Sequence, residues 1–344
     1  MTDSTTIEFT DSFLKMFYSG KRVLVTGGLG FLGSSLANRL STLGADIVIL
    51  DSLNPLYGGN QFNLDPTLRE KMRVVIGDVR DKKQVKELIE SSDIIYHFAA
   101  QVSYIDSGNM PFEDLEVNQA ATLYILESCR RLNTKAKVLF ASSRLVLGET
   151  QRPEIREDHP TNPLSIYAVH KLAAEKYHYI YHRNYGIATT VLRITNPYGP
   201  RQQIKHSKYS LVGWFIRLAM QDKEITVFGD GRQIRNYIYI DDIVDAFVRC
   251  GATSATNGQL YLLGSCESTE FRTMVELVVE MVGQGSIRYV PWPKDYERAE
   301  TGDVLIDTSK LRNTISWEPR ITLKEGISRT CQYYSTHWEM YVDV

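Results

Sequence analysis

The chain has 344 residues, 39 Lys plus Arg against 41 Asp plus Glu, a net charge of -2, 43% hydrophobic and 23% charged residues, and a mean hydropathy of -0.23. This describes a soluble folded chain long enough for about two domains, and it excludes long disordered, collagen-like or membrane-spanning architectures. The near balance of charge, with no basic cluster of convincing size, gives no reason to expect nucleic acid or a membrane as partner.

Met1 to Gly20 carries Asp3, Glu8 and Asp11 and lacks both a basic leader and an apolar stretch, so residues 1–20 read as an extension and not as a secretory signal. Within it Phe9, Phe13, Leu14 and Phe17 recur at helical spacing behind the caps Thr10 and Asp11, which predicts a short helix packed on the body. Cys129, Cys250, Cys266 and Cys331 are scattered without CxxC spacing; all four are expected to be buried thiols in a reducing, cytoplasmic setting.

From Lys21 the pattern alternates. Apolar runs at Val23–Val25, Asp46–Leu50, Arg73–Ile76, Ile94–Phe98, Lys137–Ala141 and Thr189–Ile194 read as strands. Helical stretches fall between them, ending at Leu43 and covering Lys82–Glu90, Leu115–Arg131 and Ser165–Arg183. Strand and helix in alternation imply an α/β, doubly wound parallel sheet whose ligand crevice lies at the carboxyl ends of the strands. After Asn196 the regularity weakens at Pro197, Gly199 and Pro200, and a smaller unit begins; Asn236–Ile240 and Asp242–Arg249 look like a strand and helix returning to the first domain. The expected division is 21–193 with 237–263 for the sheet domain, and 194–236 with 264–344 for a smaller C-terminal α/β substrate-binding domain.

Two motifs carry chemistry. Thr26-Gly27-Gly28-Leu29-Gly30-Phe31-Leu32-Gly33 lies between a predicted strand and a predicted helix. Its glycines allow a tight turn and close approach of backbone to a pyrophosphate at a helix N-terminus, the arrangement of a Rossmann dinucleotide site. Asp51 ends the next strand, 21 residues after Gly30, where a carboxylate accepts ribose hydroxyls and repels a 2′-phosphate; NAD is therefore expected over NADP. In the second motif, Tyr167 and Lys171 stand one turn apart on a predicted helix, and Ser143 ends the strand before it, so all three converge on the same crevice. A phenol with a pKa of about 10 needs a neighbouring cation to act as a base, and Lys171 and a nicotinamide cation would supply it. His97 sits in an apolar strand and reads as a core histidine; no His, Cys and carboxylate spacing suggests a metal.

With these motifs the chain resembles the extended short-chain dehydrogenase/reductases, specifically the nucleotide-sugar epimerases and dehydratases, over roughly Lys21 to the C-terminus. Gly77-Asp78-Val79-Arg80 is similar to the family's adenine-contacting turn, and His97-Phe98-Ala99-Ala100-Gln101 to the stretch lining its cofactor. Arg193 to Arg201, Val227 to Arg235 and Asp241-Asp242 match its substrate-domain signatures. The resemblance implies cofactor contacts from Gly27, Gly30, Phe31, Leu32, Gly33, Asp51, Asp78, Val79, Phe98, Ala99, Ala100, Gln101, Asn118 and Lys171. It implies catalysis by Ser143, Tyr167 and Lys171, substrate contacts from Asn196, Arg235 and Arg298, and a homodimer through the helices at Leu115–Arg131 and Ser165–Arg183.

Dehydrating relatives carry an Asp-Glu pair directly after the catalytic hydroxyl residue, and decarboxylating relatives a Glu two positions after it; here those positions are Arg144 and Leu145. With no acid there, epimerisation is favoured over elimination, most simply at C4 of a UDP-hexose or UDP-hexuronic acid through a transient 4-keto sugar. Arg144 is expected to reach an anionic or strongly polar sugar substituent. The alternatives are a C2-epimerase, a keto-sugar reductase or dehydratase on a CDP-, GDP- or dTDP-sugar, or a catalytically silent NAD-binding sensor.

Overall fold

Uninterrupted apolar runs are what a strand buried on both faces requires, and here they pair side by side. The computed structural model describes residues 8–54, 57–151, 154–208, 210–294 and 300–342. Twelve strands are present among them: β1 (Arg22–Thr26), β2 (Asp46–Asp51), β3 (Met72–Ile76), β4 (Ile94–His97), β5 (Lys137–Ser143), β6 (Ala188–Ile194), β7 (Asn196–Tyr198), β8 (Glu224–Phe228), β9 (Ile234–Tyr239), β10 (Gln259–Leu263), β11 (Ser268–Glu270) and β12 (Ser286–Val290). Seven make one sheet in the order β10-β6-β5-β4-β1-β2-β3, with every pairing parallel. The winding reverses between β1 and β4, and the carboxyl ends there form the crevice where open α/β sheets bind ligands. The fold is Rossmann-like, as the alternating pattern predicts.

The strand expected at Asn236–Ile240 forms as β9 but does not return to the large sheet. It lies between β7, in parallel, and β11, antiparallel, in a separate three-stranded sheet; β8 and β12 make a parallel pair of their own. The following helix, Ile240–Gly251, does pack against Phe31–Thr42 and β5, and β10 joins β6. Chain order alone could not separate these outcomes, because β9 is a short apolar strand that suits either sheet.

Local chemistry sets the helix limits. Thr10 caps Asp11–Tyr18 by accepting from Phe13 N at 3.2 Å, and Tyr18 anchors that helix by donating to Val248 O at 2.6 Å and meeting Tyr96 Oη at 2.7 Å. Ser165 caps Ile166–Tyr185 through Ala168 N, and Gly186 ends it in the left-handed region at φ 70°. The single helix expected at Leu115–Arg131 instead begins as a wider π-helical stretch, Leu115–Ala120, before Ala121–Leu132. His97 is a core residue, between Thr26 Oγ1 at 2.8 Å and Thr122 Oγ1 at 3.0 Å, and burial holds its pKa well below the usual range. All four cysteines are free; Cys129, Cys250 and Cys331 are buried, but Cys266 is exposed in the loop between β10 and β11, contrary to expectation.

Two contacts position the site. Glu175, on the helix Ile166–Tyr185, accepts from Arg193 Nε and Nη2 of β6 at 2.9 and 2.7 Å and from Ser142 Oγ of β5 at 2.6 Å, all three residues being buried. Asn63 joins the glycine turn to the other half of the molecule. Its Nδ2 donates to Leu29 O at 2.8 Å, its Oδ1 accepts from Tyr341 Oη at 2.6 Å, and its carbonyl accepts from Arg201 Nε at 3.1 Å. Replacing Glu175 with Gln should leave the Arg193 charge buried without its partner and lower the unfolding free energy by about 3 kcal/mol in urea titration. A loss below about 1 kcal/mol would show that the pair does not hold helix to sheet.

Candidate active site

The carboxyl ends of β1, β2, β4, β5 and β6 open into a cavity of about 1130 Å³, larger than the roughly 300–1,000 Å³ of ordinary small-molecule sites. On one side lies the glycine turn. Gly27 has φ 68°, and a Cβ there would stand 2.7 Å from Ala99 N; a Cβ at Gly33 would stand 2.1 Å from Gly27 O. Only glycine allows this approach. Gly30 begins the helix Phe31–Thr42 without a side-chain cap, and Phe31, Leu32 and Gly33 line the cavity, so the helix N-terminus presents its donors and partial positive charge to it. Asp51, at the end of β2, accepts from Leu29 N and Leu53 N, each at 2.9 Å. Burial raises its pKa while these backbone donors oppose the rise. The turn, the anion-favouring helix end and the strand-end carboxylate fit a dinucleotide.

Asp78, Val79, Phe98, Ala99 and Ala100 also line the cavity. Arg80 holds the Asp78 carboxyl below its usual range through a 2.7 Å pair. Gln101 and Asn118 behave otherwise: Gln101 is fully buried and its Nε2 donates to Ser103 O at 2.9 Å, while Asn118 Nδ2 donates to Gln101 O at 2.8 Å. They brace the loop after β4 from behind and do not line the cavity.

Ser143, Tyr167 and Lys171 come together at the centre. Ser143 and Tyr167 line the cavity together, and Lys171 Nζ stands 5.9 Å from the Tyr167 ring centroid and donates to Ala141 O at 3.1 Å. Burial, with Asp114 adding to it, raises the phenol above its ordinary range; the nearby Ser143 hydroxyl works the other way. Lys171 is itself pushed down by burial to about 8. Asp114 is completely buried and pairs with His170 Nδ1 at 2.5 Å; no feature of the sequence pattern marks it.

The far wall holds the remaining residues. Arg144 lines the cavity, with Nε on Asn196 Oδ1 at 3.2 Å and Nη1 on Thr301 Oγ1 at 3.0 Å. Arg235 lines it too, its fork engaged by Glu300 and by the carbonyls of Ile234 and Gly302. Arg298 lies outside the described residues. Trp214, Phe228 and Trp292 form an aromatic end to the cavity, the last two with ring centroids 5.7 Å apart. Trp214 on the helix Leu211–Met220 and Phe228 at the end of β8 read as ordinary packing aromatics, and the Pro291-Trp-Pro293 punctuation is the signal for Trp292.

Comparison with known proteins agrees with this geometry. The model of the GDP-mannose 4,6 dehydratase family matches residues 24–330. The UDP-glucose 4-epimerase of Mycolicibacterium smegmatis is 32% identical over 317 residues, covering 91% of this chain and 98% of that protein. The structure of the epimerase Mth375 from Methanothermobacter thermautotrophicus superposes with a TM-score of 0.89 at 26% identity, covering 96% of each chain. The Thermus thermophilus UDP-glucose 4-epimerase, solved as a complex with NAD, gives 0.81 at 29% identity over 91% of this chain and 99% of that one. Relatives with other reactions also match, among them a CDP-paratose 2-epimerase and a UDP-glucuronic acid decarboxylase. The chain belongs to the nucleotide-sugar epimerase/dehydratase family of short-chain dehydrogenase/reductase type.

Proposed function

We propose that this chain is an NAD-dependent epimerase of a nucleotide-activated sugar, acting at C4 of a UDP-hexose or UDP-hexuronic acid. The observation that carries the reading is the meeting of Ser143, Tyr167 and Lys171 beside the glycine turn, with Arg144 and Leu145 where an eliminating enzyme needs an acid. NAD, when bound, supplies reversible acceptance of a hydride. Gly27, Gly30 and the first helical turn after them would hold its pyrophosphate, and Asp51 its ribose.

The remaining chemistry belongs to the side chains. Tyr167 Oη takes the proton of the sugar hydroxyl and returns it, while Ser143 Oγ hydrogen-bonds the same oxygen. A buried phenol becomes a base only beside a cation, and the chain's own is Lys171. No loss of a group is catalysed, because no acid stands next to Ser143 to protonate a leaving oxygen.

We further propose a homodimer and a cytoplasmic location. Ile166, Val169, Tyr179 and Ile180 are 36%, 48%, 53% and 42% exposed on the helix Ile166–Tyr185, and Leu123 and Leu132 are 37% and 38% exposed on its neighbour. Such an apolar face calls for a covering partner. Unpaired thiols suit a reducing compartment, and among the described residues no helix is long and apolar enough to cross a membrane.

Three outcomes are expected. Tyr167→Phe should lower kcat on the epimerised sugar by about 10²- to 10⁴-fold while NAD remains bound, as measured by absorbance of the released cofactor; full activity would remove Tyr167 as the base. The kcat/KM profile should fall as pH rises through about 8, where Lys171 loses the proton whose charge favours the phenolate; a profile flat well beyond that pH would contradict the role. Light scattering should give about twice 39.2 kDa, reduced to one copy by Ile180→Glu; a native monomer would refute the dimer.

A further inference from the structure

Two polar groups on the cavity's far wall are buried without a hydrogen-bond partner among the described residues: Asn196 Nδ2 and Tyr237 Oη. Tyr237 is only 7% exposed and lines the cavity, as does Asn196. A buried donor left unmade is costly, and two converging beside one guanidinium indicate a group that they are built to receive. That guanidinium is Arg144. Asn196 Oδ1 and Thr301 Oγ1 hold it in place, and burial together with Arg235 lowers its pKa to about 10, so it is charged at neutral pH. The acid that acts on it, Glu300, pairs with Arg235 and accepts from Thr301 N and Gly302 N at 3.1 and 3.0 Å, all through Oε1, and makes no hydrogen bond to Arg144.

Arg144 directly follows Ser143, which lines the cavity with Tyr167. The cation, Asn196, Tyr237 and the reacting hydroxyls of Ser143 and Tyr167 thus border one cavity. A hydroxymethyl group there would offer a single oxygen and leave the charge unmatched. A carboxylate offers two oxygens with about four acceptor sites, which match a guanidinium together with an amide N–H and a phenol O–H.

We propose that Arg144, Asn196 and Tyr237 form a carboxylate-binding subsite, and that the substrate is a nucleotide-activated hexuronic acid and not a neutral hexose. This rests on the nucleotide-sugar reading above and narrows it.

The test is calorimetric binding to the NAD-loaded protein of UDP, UDP-glucose and UDP-glucuronic acid. The native chain should bind UDP-glucuronic acid at least about tenfold more tightly than UDP-glucose. Arg144→Gln should cost about 10- to 100-fold on UDP-glucuronic acid and less than about threefold on UDP-glucose or UDP. Tyr237→Phe removes a hydroxyl that has no hydrogen-bond partner among the described residues, so it retains the structure even if Arg144→Gln does not; it should weaken UDP-glucuronic acid alone, by about three- to tenfold. Equal losses on all three ligands would place Arg144 on the diphosphate and overturn the proposal, as would a native preference for UDP-glucose. Failure of the native chain to bind UDP at all would remove the nucleotide-sugar reading, and the subsite with it; UDP binding without hexuronate preference would remove the subsite only.

Discussion

A carboxylate and a guanidinium that have both left water tolerate almost no separation, because each is costly to bury without the other. Glu175 and Arg193 are in that position, and the geometry of the site follows from it. Their contact fixes the helix Ile166–Tyr185 against β6, and the Ser142 bond fixes it against β5 one residue before Ser143. Lys171 lies one turn earlier on the same helix and Tyr167 two. The distance between phenol and serine is therefore set by a contact that neither residue makes.

The charges inside the cavity are balanced against burial. Lys171, Arg144 and Tyr167 are all shifted toward their neutral forms by desolvation. Asp114 favours the Lys171 ammonium and disfavours the Tyr167 phenolate. A buried acid beneath the base thus keeps the lysine charged and the phenol protonated until a ligand's own charge enters. The aromatic end at Trp214, Phe228 and Trp292 is the apolar counterpart, suited to a flat ring and not to a phosphate.

Most of the large sheet was legible in the sequence because a parallel strand buried on both faces has little freedom of composition. The six apolar runs became β1 to β6 with limits moved by a residue or two, and Lys82–Glu90 appears as the helix the pattern gives, capped by Asp81. The glycine turn and Tyr167 with Lys171 were legible because backbone approach and helical spacing constrain residue type directly. The sheet to which β9 belongs was not, since pairing is decided by tertiary neighbours. Gln101 and Asn118 were placed in the cavity by resemblance, but both side chains donate to carbonyls of the loop after β4. Asp114 and Tyr237 could not be found by pattern at all: a buried polar group is recognisable only by what surrounds it.

Asn63 belongs to neither motif, yet it ties together three distant parts of the chain: the turn at Leu29, Arg201 beyond β7, and Tyr341 near the C-terminus. Each of these bonds is buried or partly buried, so parting the two walls of the cavity at that corner would expose a polar junction with nothing to replace it. The walls are in effect latched on the dinucleotide side. Lys208, which also lines the cavity, holds the largely buried Asp106 with its own side chain 46% exposed, a contact that water loosens far more easily.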